Sequence, residues 1–119
     1  MDNGKESDLV IKTVNASFMN ETMRFFDIVE YNNEEFLIYK GHVPKVGFIL
    51  KEGVMKALDS KTEKTLSQYS IIGVKELLGN SPLGYSLKTY PGTKVYVVDK
   101  STIIKIKKLE IKHIEYFFE

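Results

Sequence analysis

The chain has 119 residues, 43% apolar and 28% charged, enough for one domain around a single modest core. Its formal net charge of +1 sets up no field that would draw nucleic acid or acidic lipid to the whole molecule. It contains no cysteine, which excludes disulfides and thiol catalysis and favours a cytoplasmic location. No apolar run approaches the roughly 18 residues of a membrane span, and the polar start Met1–Ser7 does not read as a signal peptide.

Residues 1–7 read as a tail, and 1–17 as an N-terminal extension to a domain spanning 18–119. Asp8–Val14 has the β-branched content of a strand. Ser17–Phe26 spaces Phe18, Met19, Met23 and Phe26 by threes and fours, which predicts a short helix. Asp27–Tyr31 and Phe36–Lys40 read as strands around an Asn-Asn-Glu-Glu turn, the second ending at Gly41. Gly47–Gly53 is a strand that Val54–Leu58 continues past a glycine break. Asp59–Lys64 is a polar hairpin tip, and Thr65–Ser70 returns.

The most informative stretch runs from Ile71 to Lys100. A strand end meets Gly73, and a helical turn from Val74 to Leu78 closes on Gly79-Asn80. Ser81-Pro82 then feeds a strand, Tyr85–Thr89, and Pro91-Gly92 turns the chain into Lys94–Asp99. The start of such a turn presents backbone N–H groups toward an anion. From Ser101, read as the N-cap, a C-terminal helix places Ile104, Ile111, Ile114 and Phe118 on one face, widened by Ile106, Leu109 and Phe117. Short strands with a turn every eight to twelve residues predict a mainly β chain: an antiparallel β-roll or jelly roll of about eight strands. A short N-terminal helix and a C-terminal helix flank it. The expected core includes Phe36, Ile38, Phe48, Leu50, Val54, Leu66, Ile72, Leu77, Val95 and Val97.

This order of elements resembles the cyclic nucleotide-binding domain, the sensor module of catabolite activator-type regulators, cyclic-nucleotide-dependent kinases and gated channels. The resemblance runs from about Phe25 to Glu119. Gly41 matches a glycine after the second roll strand, Phe48-Ile49-Leu50 with Gly53 a "phe-ile-leu, then gly" strand, and Asp99-Lys100 the Asp-Arg or Asp-Lys that ends the roll. The glycines fall where a roll must bend.

In that family a cassette of the form F-G-E-x-A-L-x…P-R-S/T-A holds the cyclic phosphate. Its glutamate takes the ribose 2′-hydroxyl and its arginine pairs with the phosphate. Here Gly73 matches the cassette glycine and Pro82 its proline. The glutamate position falls on Val74, and the arginine position on Leu83 or, shifted by one, Gly84. Glu76 lies two residues on and points elsewhere. Lys75 and Lys88 are the nearest cations, and a lysine lacks the planar fork of arginine. The Gly-Asp pair usual before the cassette is missing. The implied ligand-binding residues are Gly73, Val74, Lys75, Glu76, Leu77, Pro82, Leu83, Gly84, Tyr85 and Ser86, with weak or no cyclic AMP binding.

Each of these residues also has a plainer reading: Glu76 as a solvated helix glutamate, Lys75 and Lys88 as surface lysines, Ser86 as an outward strand residue, the tyrosines as packing groups. His42 and His113 are too far apart to suggest a metal pair, and Lys105, Lys107, Lys108 and Lys112 read as the wet face of a helix. No catalytic set, metal cluster or phosphate-loop motif is visible, so no enzyme is expected. Nor is a helix-turn-helix, so no nucleic-acid partner is expected. Three alternatives stay open. The chain is a sensor for a cyclic nucleotide or other small anion, with no resident cofactor. It is a degenerate interaction or dimerisation module acting through its C-terminal helix. Or it is the sensor fragment of a larger regulator.

Overall fold

The computed structural model describes residues 9–109. β3 (Gly47–Glu52) and β8 (Thr93–Val98) pair antiparallel at the centre of one sheet, flanked by β1 (Asp27–Tyr31) and β6 (Ile71–Ile72), in the order β1-β8-β3-β6. The second sheet has the order β2-β7-β4-β5, built from β2 (Glu35–Ile38), β4 (Met55–Leu58), β5 (Glu63–Thr65) and β7 (Ser86–Thr89). The architecture is the expected mainly β roll with helices at both ends. Helix α1 (Ala16–Thr22) runs into a 3-10 turn, Met23–Phe25. Helix α2 (Val74–Gly79) follows β6, and α3 (Lys100–Lys108) follows β8.

Strand alternation sorts the core into two clusters. Phe48 and Leu50 of β3 and Val95 of β8 face Met55, Ala57 and Leu87 inside the roll, together with Leu66, Ile72 and Leu83. The opposite face of the same strands presents Ile49, Tyr96 and Val98 to Val14, Phe18 and Met19 and to Ile103 and Ile106 of α3. The central strands are therefore buried on both faces, which is why they read as nearly continuous apolar runs.

The sequence-based core needs five corrections. Phe36 is exposed: the β2–β7 register slips between Phe36 and Ile38, which turns Phe36 outward opposite Lys88, where it stacks on Tyr39 at 4.8 Å. Val54 is exposed because β3 and β4 belong to different sheets, and the change of sheet at Gly53-Val54 sends Met55 inward instead. Ile38, Leu77 and Val97 are half-buried rather than enclosed. Thr65–Ser70 is also not one strand. β5 ends at Thr65, and Ser70 N–H bonds back to Ser67 O with Tyr69 at φ 66°, because the chain crosses from one sheet to the other there.

At the ends, Asp8–Val14 forms no strand within its described part; a single antiparallel bridge, Thr13 to Ser70, ties it to the roll. The cap of α3 is Asp99, not Ser101: the Asp99 carboxylate accepts from Thr102 N–H at 2.8 Å and from the Ser101 hydroxyl at 3.0 Å. Within α3 the buried residues are Ile103 and Ile106, whereas Ile104 is 48% exposed. Ile111, Ile114, Phe117 and Phe118 lie outside the described residues.

Candidate functional site

Helix α2 starts where Gly73 adopts φ 81°, a left-handed turn that side-chain-bearing residues rarely take. That turn swings the chain off β6 so that Val74, 3% exposed, points into the cluster beneath α1 and α3. Leu77 and Leu78 pack against the same cluster, while Lys75 stays exposed and Glu76 is half-buried. The helix closes on Asn80, at φ 53°: Ser81 N–H bonds Glu76 O at 3.0 Å and Asn80 N–H reaches Leu77 O, the paired bonds of a Schellman closure.

Beyond α2 the predicted residues diverge. Pro82 and Gly84 are exposed. Leu83 is 1% exposed, inside the roll, its backbone tied to the 41–42 loop by Gly41 N–H to Leu83 O and Leu83 N–H to His42 O, both 2.9 Å. The Ser86 hydroxyl accepts from Lys40 N–H at 2.9 Å. Lys88 pairs with Glu34 at 2.7 Å on the outer face of the sheet. Tyr85 lies half-buried beside α2, and burial, with the charge of Glu76 second, pushes its phenol far above its ordinary value, so it stays a neutral hydroxyl.

Of the ten predicted residues, Gly73, Val74, Lys75, Glu76 and Tyr85 line a common cleft of about 310 Å³. Leu77, Pro82, Leu83, Gly84 and Ser86 do not line it. Its remaining walls are Ile71 and Val10, Ile11 and Lys12, which sequence reasoning missed. The strand-like pattern of 8–14 announced that this segment would pair, but nothing in it named α2 as its neighbour. Among the described residues no group of three or more His, Cys, Asp or Glu is placed to hold a metal ion. Nor is any described helix long and apolar enough to cross a membrane.

No protein-family model and no curated protein matches the sequence. Solved structures do match. One, reported for a cyclic-GMP-dependent signalling pathway that regulates bacterial phytopathogenesis, superposes over 89% of both chains with a TM-score of 0.79 at 16% identity. The second cyclic-nucleotide-binding domain of a protein kinase A regulatory subunit, with the analogue Sp-2Cl-cAMPS bound, matches over 88% of this chain and 75% of its own, with a TM-score of 0.63 at 20% identity. The Thermus thermophilus catabolite activator protein matches over 82% of this chain and 49% of its own, with a TM-score of 0.64 at 14% identity. The fold is that of a cyclic nucleotide-binding domain. In this cyclic nucleotide-binding fold Val74, the position onto which the sequence resemblance carries the family's glutamate, is enclosed in one core cluster; of the two positions it offers for the arginine, Leu83 is enclosed in the other cluster and Gly84 is exposed.

Proposed function

We infer that the chain is a non-enzymatic regulatory domain of the cyclic nucleotide-binding kind that does not take cyclic AMP in the family's usual way. The observation that carries this reading is that the matched positions bear no carboxylate and no cation: Val74 and Leu83 are buried apolar side chains, and Gly84, the shifted alternative for the arginine, has no side chain. A phosphate seated without its arginine is an uncompensated charge, a loss of about 3–5 kcal/mol. That moves a micromolar site by two to four decades toward the millimolar range. A small anion in the cleft beside α2 would meet two lysines, Lys12 and Lys75, against the one carboxylate of Glu76, with Tyr85 as a neutral hydroxyl and Val10 and Ile11 as an apolar wall.

The test is a thermal-shift series against cyclic AMP, cyclic GMP and cyclic di-GMP, followed by calorimetry on any that shift. A compound at a hundred times its dissociation constant stabilises the fold by about 2.7 kcal/mol. Cyclic AMP at 1 mM is expected to give no shift; micromolar cyclic AMP binding by calorimetry sinks the reading. A second reading, an association module, is favoured by Ile104 and Leu109, which are 48% and 50% exposed on the C-terminal side of the domain. Sedimentation at high micromolar concentration tests its dimer form: a monomer removes dimerisation.

A further inference from the structure

A second cleft, about 300 Å³, lies where β2 and the 39–46 loop meet the start of β3, and it shares no lining residue with the cleft beside α2. Its rim is built by a tight turn. His42 N–H donates to Tyr39 O at 3.1 Å, with Gly41 at φ 92° in the third position. The turn is also held from outside: Gly41 N–H donates to Leu83 O, His42 O accepts from Leu83 N–H, and Lys40 N–H donates to the Ser86 hydroxyl. Those bonds keep the Tyr39 and His42 rings edge to face, 6.2 Å apart, and Phe36 stacks on Tyr39 at 4.8 Å. A rim with this many backbone ties is preformed, so a ligand loses little in ordering it.

The lining sets the chemistry. Leu37, Ile38 and Val46 are half-buried against the inner cluster that contains Phe48, and these four residues make an apolar wall. Tyr39 and Val43 also line the cleft, yet they are 54% and 40% exposed, so apolar surface lies open along the rim. The charge is one-sided: Lys45 and His42 line the cleft and no carboxylate does. Lys40, Lys56 and Lys88 elsewhere on the domain each pair with an acidic side chain, whereas Lys45 has no carboxylate partner among the described residues. An apolar wall, open ring surface and an unanswered cation suit one kind of guest, which is flat, apolar and singly negative. The volume is at the small end of ligand pockets and fits a one- or two-ring molecule.

We propose that this cleft binds a small aromatic carboxylate, whose ring packs on Tyr39 and His42 over the apolar wall and whose carboxylate pairs with Lys45. The site is separate from the cleft beside α2 and does not depend on what that cleft holds.

The probe is 1-naphthoate, with 1-naphthalenemethanol as its neutral counterpart and octanoate as an anion without a ring. Amide chemical shifts of the isotope-labelled protein report where each one binds. 1-Naphthoate is expected to saturate shifts at residues 39–48 with a dissociation constant of about 0.1–1 mM, ordinary for a ligand of this size. It should bind at least about threefold more tightly than either control. Lys45→Gln should erase its advantage over the alcohol. Tyr39→Ala should weaken it at least about threefold more than it weakens octanoate. Both side chains are exposed, so the circular dichroism spectra and urea midpoints of the variants should match the wild type.

No saturable shift at residues 39–48 with 1-naphthoate up to about 5 mM overturns the site. So does equal binding of the three compounds, or 1-naphthoate binding that neither variant changes. Shifts confined to residues 73–76 overturn it as well, and support instead an anion in the cleft beside α2.

Discussion

Gly47 on β3 and Val74 at the first position of α2 pack so closely that a side chain at Gly47 has nowhere to go. A Cβ there would overlap Val74 Cγ2 and lie 3.4 Å from Ile72 O. The contact pins α2 to the central strand and holds Val74 inward. Gly47→Ala is expected to destabilise by about 1–3 kcal/mol through overpacking. Val74→Ala makes room, so the double variant should recover about 1 kcal/mol relative to the sum of the single changes. Urea midpoints of the four proteins measure this; strict additivity would disprove the contact. Val74→Glu, which writes the family's carboxylate back in, should cost about 3 kcal/mol or more as an unpaired buried charge, with no gain in cyclic AMP affinity by calorimetry.

The same contact marks how far the sequence could be read. The alternation of Phe48 and Leu50, and the glycine followed by a helical turn, were legible because period and backbone freedom are local properties. Phe36 and Val54 were not, because a bulge and a change of sheet each shift the inside-outside parity by one residue, and neither leaves a local mark. Ser101 was a reasonable cap on residue type; Asp99 competes from two positions earlier and recruits Ser101 as its own donor. The cleft was half legible. Its α2 wall follows from Gly73, but the wall of Val10, Ile11 and Lys12 comes from about sixty residues away in sequence and depends on tertiary pairing.

Thr89 gives a prediction of opposite sign. Its hydroxyl is fully buried on β7 and has no hydrogen-bond partner among the described residues. A buried hydroxyl without a partner destabilises by about 1–3 kcal/mol, and valine has the same shape without the polar group. Thr89→Val should raise stability by about 1 kcal/mol. A lower urea midpoint for the variant would show that the hydroxyl is bonded after all.

Asp99 carries a pH dependence. Hydrogen bonds from Thr102, and then from the Ser101 hydroxyl, hold its carboxyl below the ordinary carboxylate value. A lowered folded value means that the charged form is favoured by folding. The contribution is therefore complete above the unfolded value of about 4 and is lost as pH falls through the folded value. Asp99→Ala should cost about 1 kcal/mol at pH 7. The gap from wild type should narrow steadily below about pH 4. Asp99→Asn keeps a capping oxygen and should lose the pH dependence while retaining most of the stability. A gap that persists unchanged at pH 2 would place the effect elsewhere.

Helix α3 separates packing from surface within four residues. Ile103 and Ile106 are fully buried against Phe18, Met19 and Tyr96, while Ile104 and Leu109 face solvent. Ile106→Ala removes enclosed apolar volume that the strands on one side and α1 on the other cannot collapse to fill, and should cost about 2–5 kcal/mol. Ile104→Asp/Leu109→Asp removes only exposed surface, and a change of that kind stays within about 0.5 kcal/mol in a monomer. Chemical denaturation at two protein concentrations distinguishes the cases. If the exposed pair destabilises strongly and more so at high concentration, the outer face of α3 is covered by a second molecule. If it destabilises equally at both, that face is part of the domain's own core, and the division of α3 drawn here is wrong.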